Sequence, residues 1–203
     1  MVIGVDFDNT IVCYDGLFRK FAIERGLVPD DVSESKNAVR DFLRRIGQED
    51  RWTELQGYTY GPGMRDARLF PGVLEFFEHC RRIDQEVFVI SQRTRYPFLG
   101  KRYDLHQAAR EFLAEHGFND AGRIGLAADH IRFHESKQEK VAQIGQIGCT
   151  HFIDDLPEIL TAANFPADIE KILFDPSGQH AACHDLRRFD SWPAIENYLL
   201  RSA

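Results

Sequence analysis

The sequence lacks long runs of hydrophobic residues and is poor in cysteine. Its longest apolar runs are as short as residues 87–90, VFVI, so we predict that no segment crosses a membrane. The first residues, MVIGVDFD, lack the basic start and longer apolar stretch of a signal peptide and predict a first strand instead. The four cysteines form no CxxC pair, which favours reduced thiols. These absences together predict a cytoplasmic protein.

Positive charge is also scarce in this chain. Lys and Arg number 25 against 32 Asp and Glu, which gives a net charge of -7 at pH 7. This balance argues against general affinity for nucleic acid or anionic membranes, because both favour basic surfaces. A phosphorylated substrate would therefore need cations at its own site. The sequence contains no repeats and no long linkers. Its 203 residues are enough for one core with at most a small accessory domain. The sequence does not indicate an oligomeric state.

Short apolar runs alternate with helical patterns along most of the chain. The predicted strands are residues 2–5, 87–90, 151–153 and 171–174, with a weaker one at 124–126 or 131–133. Helical spacing of apolar residues predicts helices at 105–113, 141–147 and 192–199. This alternation is typical of an α/β fold with a doubly wound, mostly parallel sheet.

The segment from residue 13 to about residue 70 interrupts this alternation. Apolar residues at helical spacing predict helices around 18–22 and 39–46, with Ser33 as an N-cap of the second. The glycine- and aromatic-rich segment 56–63, QGYTYGPG, predicts a loop.

We therefore predict a small α-helical cap at 13–70, inserted after the first strand of a core formed by 1–12 and 71–203. Several cap residues near the predicted loop either face a sugar or base or, as we favour, form the core of the cap itself. These residues are Trp52, Gln56, Tyr58 and Tyr60.

Two acidic pairs are the most informative motifs. Asp6 and Asp8 leave the first predicted strand in VDFDNT, and Asp154 and Asp155 leave another in FIDDLPE. Ligands bind at the carboxyl ends of strands in open α/β sheets, and repelling carboxylates do not serve stability. We predict a Mg²⁺ site with Asp6 and Asp155 as direct ligands and the Asp8 backbone carbonyl nearby, while Asp154 acts through water or orients its neighbours. The alternative is a pair of ordinary turns.

Hydroxyl and cationic residues lie between the two acidic pairs. Ser91, at a third strand end, is suited to donate a hydrogen bond to a phosphoryl oxygen. Lys137 opens the helix before the second pair and is our choice of phosphate-binding cation; Lys140 is its rival. Gln92 and Arg93 are predicted to edge the substrate site. Arg93 would then hold a second anionic group of the substrate, although a surface ion pair is the safer interpretation.

The histidine and cysteine cluster His180, Cys183 and His184 suggests a zinc site at first sight. It lacks a clear fourth ligand and the usual pairing, so we predict a surface loop or helix end there.

The two acidic pairs, with the serine and the lysine between them, resemble in their order along the chain the four motifs of the haloacid dehalogenase (HAD) superfamily of hydrolases. The resemblance covers essentially the whole chain, and the insertion is similar to that superfamily's small helical cap. It implies a Rossmann-like core. The matching residues are Asp6, Asp8, Thr10, Ser91, Lys137, Asp154 and Asp155.

The resemblance also implies a role for each matched residue. Asp6 would attack phosphorus and become an aspartyl phosphate, while Asp8 would protonate the leaving oxygen and then activate water. Ser91 and Lys137 would bind the transferred phosphoryl group, and Thr10, counted with the substrate-binding residues, would support the nucleophile loop. The second acidic pair would hold Mg²⁺.

The function thus predicted is Mg²⁺-dependent hydrolysis of a small phosphorylated metabolite, such as a sugar phosphate or a nucleotide. Asp8 offers the acid that a leaving alcohol needs and a leaving halide does not, which favours a phosphatase over a dehalogenase. A phosphonatase would need a cap lysine in a recognisable context, which neither Lys20 nor Lys36 has. A phosphotransferase or mutase on the same scaffold stays open. A receiver-like phospho-acceptor module is the rival from another class, but its motifs run in a different order.

Overall fold

The computed structural model describes residues 1–183 and 185–200, which form two compact units. The first unit contains Met1–Val12, Leu69–Arg93 and the chain from Ala114 onward, and the second contains Cys13–Arg68 and Thr94–Leu113. His184, a member of the cluster considered above, lies outside the described residues.

Eight strands form a large sheet and a small one. They are β1 Val2–Val5, β2 Val12–Cys13, β3 Arg68–Leu69, β4 Glu86–Gln92, β5 Ile131–His134, β6 His151–Asp154, β7 Glu170–Phe174 and β8 Arg187–Phe189. Six of them form a sheet in the order β5-β4-β1-β6-β7-β8 in which every pairing is parallel; β2 and β3 form the other. The predicted α/β fold with a mostly parallel sheet is confirmed.

Eight α-helices accompany the strands in residues 1–183 and 185–200. They are α1 Leu17–Glu24, α2 Lys36–Arg45, α3 Glu49–Tyr60, α4 Val73–Arg82, α5 Leu105–Glu115, α6 Lys137–Ile147, α7 Pro157–Leu160 and α8 Trp192–Leu200. Short 3-10 helices span Pro62–Asp66 and Ala128–His130. In the described parts of the chain, 1–183 and 185–200, no helix combines the length and the hydrophobicity that crossing a membrane requires.

The centre of the first unit is β1, which is buried between β4 and β6. Val5 lies in register with Val89 of β4 and Ile153 of β6, so the three strands end at the same edge of the sheet. Gly4 allows close packing here, because a Cβ at this position would lie 2.5 Å from the Phe152 ring. The apolar runs that predicted these strands are therefore strands covered on both faces.

Helices α4 and α7 and strand β8 of the first unit were not predicted. Strand β8 is a short edge strand in which Arg187 and Arg188 take the place of the usual apolar residues. Of the two sites offered for the weaker strand, residues 131–133 lie in β5, whereas 124–126 form no strand.

The second unit is built on α1, α2 and α3, and its core is aromatic. Trp52 is buried against Phe18, with ring centroids 5.3 Å apart, and Tyr58 packs edge-on against Phe21 at 5.0 Å. Helix α2 begins after Ser35, whose Oγ accepts a hydrogen bond from the Ala38 N–H, so the predicted N-cap was two residues too early.

The loop predicted at 56–63 is also incorrect, because α3 continues through Tyr60. Gly57 lies inside this helix where the segment after β4 approaches closely, and a Cβ there would be 2.7 Å from the Pro97 Cβ. Gly57 therefore marks a site of close packing rather than a turn. The same packing explains why 94–113, which the sequence division gave to the core, groups with 13–68.

Candidate active site

The two acidic pairs meet at the carboxyl edge of the sheet. Asp6 directly follows β1, Asp154 is the last residue of β6 and Asp155 follows it. The Asp6 N–H donates to the Ile153 carbonyl at 2.9 Å, which ties the two strand ends together. The fold thus brings side chains that are almost 150 positions apart in the sequence to one place, within the first unit.

The carboxylates of Asp6, Asp154 and Asp155 form a compact group of possible metal ligands. One oxygen from each lies within 4.8 Å of the others, and Asp6 and Asp154 are buried. Such close carboxylates repel one another unless positive charge is nearby. A donor set made only of oxygen suits a hard divalent cation such as Mg²⁺. The residues present therefore fit the predicted metal.

Lys140, not Lys137, lies among these carboxylates. Its Nζ is 2.5 Å from Asp6 Oδ1 and 2.6 Å from Asp154 Oδ2, and the side chain is buried. The side chain of Lys137 is 50% exposed and pairs with Glu158 at 3.0 Å. The structure therefore corrects the choice of Lys137, because Lys140 contacts the clustered carboxylates and Lys137 pairs with Glu158.

The capping box of α6 is a sequence signal that distinguishes the two lysines. Ser136 accepts a hydrogen bond from the Glu139 N–H, and Glu139 in turn accepts one from the Ser136 N–H. This pattern fixes Ser136 as the N-cap. Lys137 is then the first residue of the helix, whereas Lys140 lies almost one turn further along it, next to the buried Val141.

Burial and charge perturb the ionisation of this cluster. Burial, offset in part by Lys140 and reinforced by Asp154, raises the pKa of Asp6 to about 7. Burial and repulsion from Asp154 and Asp6 raise the pKa of Asp155 well above its usual range. Burial alone would lower the pKa of Lys140, but Asp154 and Asp6 outweigh it and raise that pKa above its ordinary value. Lys140 is therefore held as a cation, and the cluster has too little positive charge.

Asp8 is held apart from the three clustered carboxylates. Both of its carboxylate oxygens accept hydrogen bonds from Nη1 of Arg93, at 2.6 and 2.8 Å. Its side chain therefore belongs to a second ion pair and is not in the candidate metal group of the described residues. The predicted metal contact through its backbone carbonyl stays a prediction. Two roles were considered for Arg93, contact with an anionic group of the substrate and a surface ion pair. The structure pairs Arg93 with Asp8, but its side chain is buried rather than on the surface.

The polar residues predicted beside the phosphate occupy different settings. Ser91 is buried near the end of β4, in register with Phe133 of β5. Thr10 is fully buried, and its carbonyl accepts a hydrogen bond from Trp192 Nε1, which favours support of the loop over contact with substrate. Gln92 Nε2 donates to the Glu135 carbonyl at 3.4 Å.

Comparison with known proteins identifies the fold. No protein-family model matches the chain, and no curated protein does so either. A HAD hydrolase of family IA, variant 3, from Entamoeba histolytica is 11% identical over 96% of this chain and 94% of its own, with a TM-score of 0.61. A HAD family hydrolase from Deinococcus radiodurans, solved with bound phosphate and sodium, is 17% identical over 99% and 95%, with a TM-score of 0.58.

A predicted phosphoglycolate phosphatase from Haemophilus somnus is also similar. It is 15% identical over 100% of this chain and 97% of its own, with a TM-score of 0.58. These likenesses show that the chain has the fold of HAD-superfamily hydrolases, which confirms at the level of fold the resemblance drawn from the motifs.

Proposed function

We propose that this chain, which has the HAD-hydrolase fold, is a Mg²⁺-dependent phosphatase that hydrolyses a small phosphomonoester through an aspartyl phosphate on Asp6. The observation that carries the proposal is the cluster at the carboxyl edge of β1 and β6. There Asp6, Asp154 and Asp155 lie within 4.8 Å of one another beside the buried cation Lys140. A sugar phosphate or a nucleotide is the class of substrate we expect.

The three carboxylates of this cluster are the proposed Mg²⁺ ligands. When bound, Mg²⁺ supplies positive charge that polarises the phosphoryl group and reduces its repulsion with the nucleophile. Asp154 is already oriented, because its Oδ1 accepts from the Leu156 N–H at 2.9 Å and its Oδ2 accepts from Lys140. This supports Asp6 and Asp155 as the ligands with more freedom to meet the ion.

The chain's own residues would carry the reaction in two displacements. In the first, an Asp6 carboxylate oxygen forms a bond to phosphorus, the bond to the ester oxygen breaks, and protonated Asp8 gives its proton to the leaving oxygen. In the second, water attacks the same phosphorus, Asp8 takes the proton from this water, and Asp6 is released as phosphate forms. Ser91 and Lys140 would donate hydrogen bonds to the transferred group.

Two of the similar structures point to the same chemistry. The Deinococcus radiodurans hydrolase was solved with bound phosphate, and the Haemophilus somnus protein is a predicted phosphoglycolate phosphatase. Neither defines the substrate of this chain. The compact second unit, Cys13–Arg68 with Thr94–Leu113, is the proposed cap that would select the leaving group.

The test is phosphate release from a panel of phosphomonoesters with Mg²⁺, for wild type, Asp6→Asn and the control Asp129→Asn. Asp129 is exposed and precedes β5, so its variant should match wild type. We expect Asp6→Asn to lose at least about 1000-fold in kcat, as for other catalytic nucleophiles, while remaining folded. An Asp6→Asn protein as active as wild type would refute the assignment. Transfer of phosphate to an added alcohol, without free phosphate, would identify a phosphotransferase instead.

A further inference from the structure

We infer that Arg93 is a positioning residue that holds the carboxyl group of Asp8 in place for proton transfer. This inference rests on the proposed function, in which Asp8 is the general acid and base, but it concerns a residue to which the HAD motifs give no role. Its basis is the contact between one guanidinium nitrogen and both Asp8 oxygens, at 2.6 and 2.8 Å.

The backbone and side chain of Arg93 are both fixed. Its N–H donates to the His134 carbonyl at 2.8 Å, directly after β4, so the end of β5 anchors it. Its side chain is only 3% exposed, and the guanidinium carbon lies 5.6 Å from the centroid of the Phe7 ring. Phe133 in turn packs edge-on against Phe7 at 5.8 Å. A guanidinium packed in this way presents its donors in one direction.

Asp8 also has a fixed backbone, and its side chain is less buried than that of Arg93. The N–H groups of Ile11 and Val12 both donate to the Phe7 carbonyl at 3.0 Å, and Asn9 is left-handed with φ 57°, so the turn around Asp8 is tight. The Asp8 side chain is 21% exposed and extends from this turn to the guanidinium of Arg93. Because a general acid must lie within hydrogen-bond reach of the leaving oxygen, the rotamer decides whether the proton transfers. The contact with Arg93 selects one.

Two other roles for Arg93 make different predictions. If it bound an anionic group of the substrate, its removal would weaken substrate binding and raise KM for every substrate that carries the group. If its pair with Asp8 were only structural, removal would reduce stability and affect all substrates equally. A positioning role instead predicts a loss that depends on how much the leaving group needs a proton.

The experiment compares wild type, Arg93→Met, Arg93→Lys and the control Arg123→Met, each with Mg²⁺. Arg123 forms an ion pair with Glu78 on the surface. Its neighbour Ile124 lines a cavity together with Glu86, which is the first residue of β4, whereas Arg93 follows the other end of that strand. The control thus also removes an arginine from a carboxylate pair. The probes are phenyl phosphate, whose leaving group needs a proton, and 2,4-dinitrophenyl phosphate, whose leaving group does not.

For Arg93→Met we expect the first turnover of phenyl phosphate to slow by roughly 100-fold, the lower end of what a general acid contributes. The first turnover of 2,4-dinitrophenyl phosphate should stay within about fivefold of wild type, since no proton is needed. It should appear as a burst of dinitrophenolate, because Asp8 is still needed to activate water in the second step. The affinity for either probe, measured from the substrate dependence of the first turnover, should change little. Arg93→Lys should recover part of the loss, and Arg123→Met should match wild type.

Equal losses in the first turnover of the two probes, or weaker substrate binding with an unchanged first-turnover rate, would overturn the inference. A crystal structure of Arg93→Met tests it without any activity: we expect the Asp8 carboxyl to occupy other rotamers, and a carboxyl in its wild-type position would overturn the inference. If wild type hydrolyses neither probe nor any phosphomonoester, the proposed phosphatase function fails, and this crystal structure still decides whether Arg93 positions Asp8.

Discussion

Replacing Lys140 with methionine tests the electrostatics of the site most directly. Methionine has a similar length and no charge, so the change removes the cation without leaving a large cavity. The matched control is Lys137→Met, the same replacement one helical turn earlier, at a half-exposed lysine paired with Glu158. The two variants have the same composition and differ only in the surroundings of the lost charge.

The expected loss of stability follows from the contacts of each lysine. The Lys140 Nζ touches Asp6 and Asp154 at 2.5 and 2.6 Å inside the protein, and removing one partner of a buried ion pair costs about 3–5 kcal/mol. Because the pKa of Asp6 is already about 7, proton uptake should relieve part of the repulsion in the variant, which places our expectation near 3 kcal/mol. An exposed pair contributes about 0–1 kcal/mol, so Lys137→Met should change little.

The assay is urea unfolding at pH 7, with and without Mg²⁺, alongside phosphate release. Added Mg²⁺ should restore part of the stability of Lys140→Met, since it supplies positive charge to the same carboxylates. The kcat of this variant should fall by about 100- to 1000-fold, as when other groups that stabilise the transition state are removed. Equal destabilisation of Lys140→Met and Lys137→Met would refute the reasoning, because the distinction between them depends on burial alone.

Three further predictions address the metal, acid stability and packing. Mg²⁺ should raise the Tm of wild type but not of Asp155→Asn in thermal melts, and an equal rise in both would remove Asp155 from the ligand set. Asp175 is buried and accepts hydrogen bonds from two backbone N–H groups and Arg188, which outweigh desolvation and lower its pKa. Asp175→Asn should therefore lower the free energy of unfolding by about 1.5–3 kcal/mol at pH 7. This difference should shrink as the pH falls from the unfolded pKa of about 3.9 through the lower folded pKa. A loss in urea unfolding that does not depend on pH would contradict this prediction. Gly57→Ala should destabilise the protein by about 1–3 kcal/mol in the same assay, because the alanine Cβ would overlap Pro97. This loss should outweigh the better helix propensity of alanine, so a gain in stability would contradict the packing.

The parts of this protein that the sequence predicts well are those with a local signature. Strands β1 and β6 are continuous apolar runs that end in carboxylates, and the parallel sheet follows from their alternation with helices. Once two such strands are assumed to be neighbours, the meeting of Asp6 with Asp155 follows from topology.

The parts that were missed depend on contacts between distant segments. The pairing of Arg93 with Asp8 requires β4 to lie beside β1, which no local pattern states. Residues 56–60 are helical and Gly57 packs closely beside Pro97, whereas composition alone indicates a turn. Lys137 and Lys140 precede the apolar residues of α6 at equally acceptable helical spacings, so only the start of the helix distinguishes them.

The distribution of charge at the sheet edge explains why a divalent ion suits this site. In the described residues the two buried cations are used separately, since Arg93 pairs with Asp8 and Lys140 is shared by Asp6 and Asp154. When all are ionised, Lys140 and the three clustered carboxylates carry a net charge of two negative units. Burial raises the pKa values of Asp6 and Asp155, and repulsion within this cluster raises them further. One divalent cation would balance these two negative charges, whereas a second lysine would balance only one of them. The charges of these residues are therefore a physical reason to expect Mg²⁺ dependence.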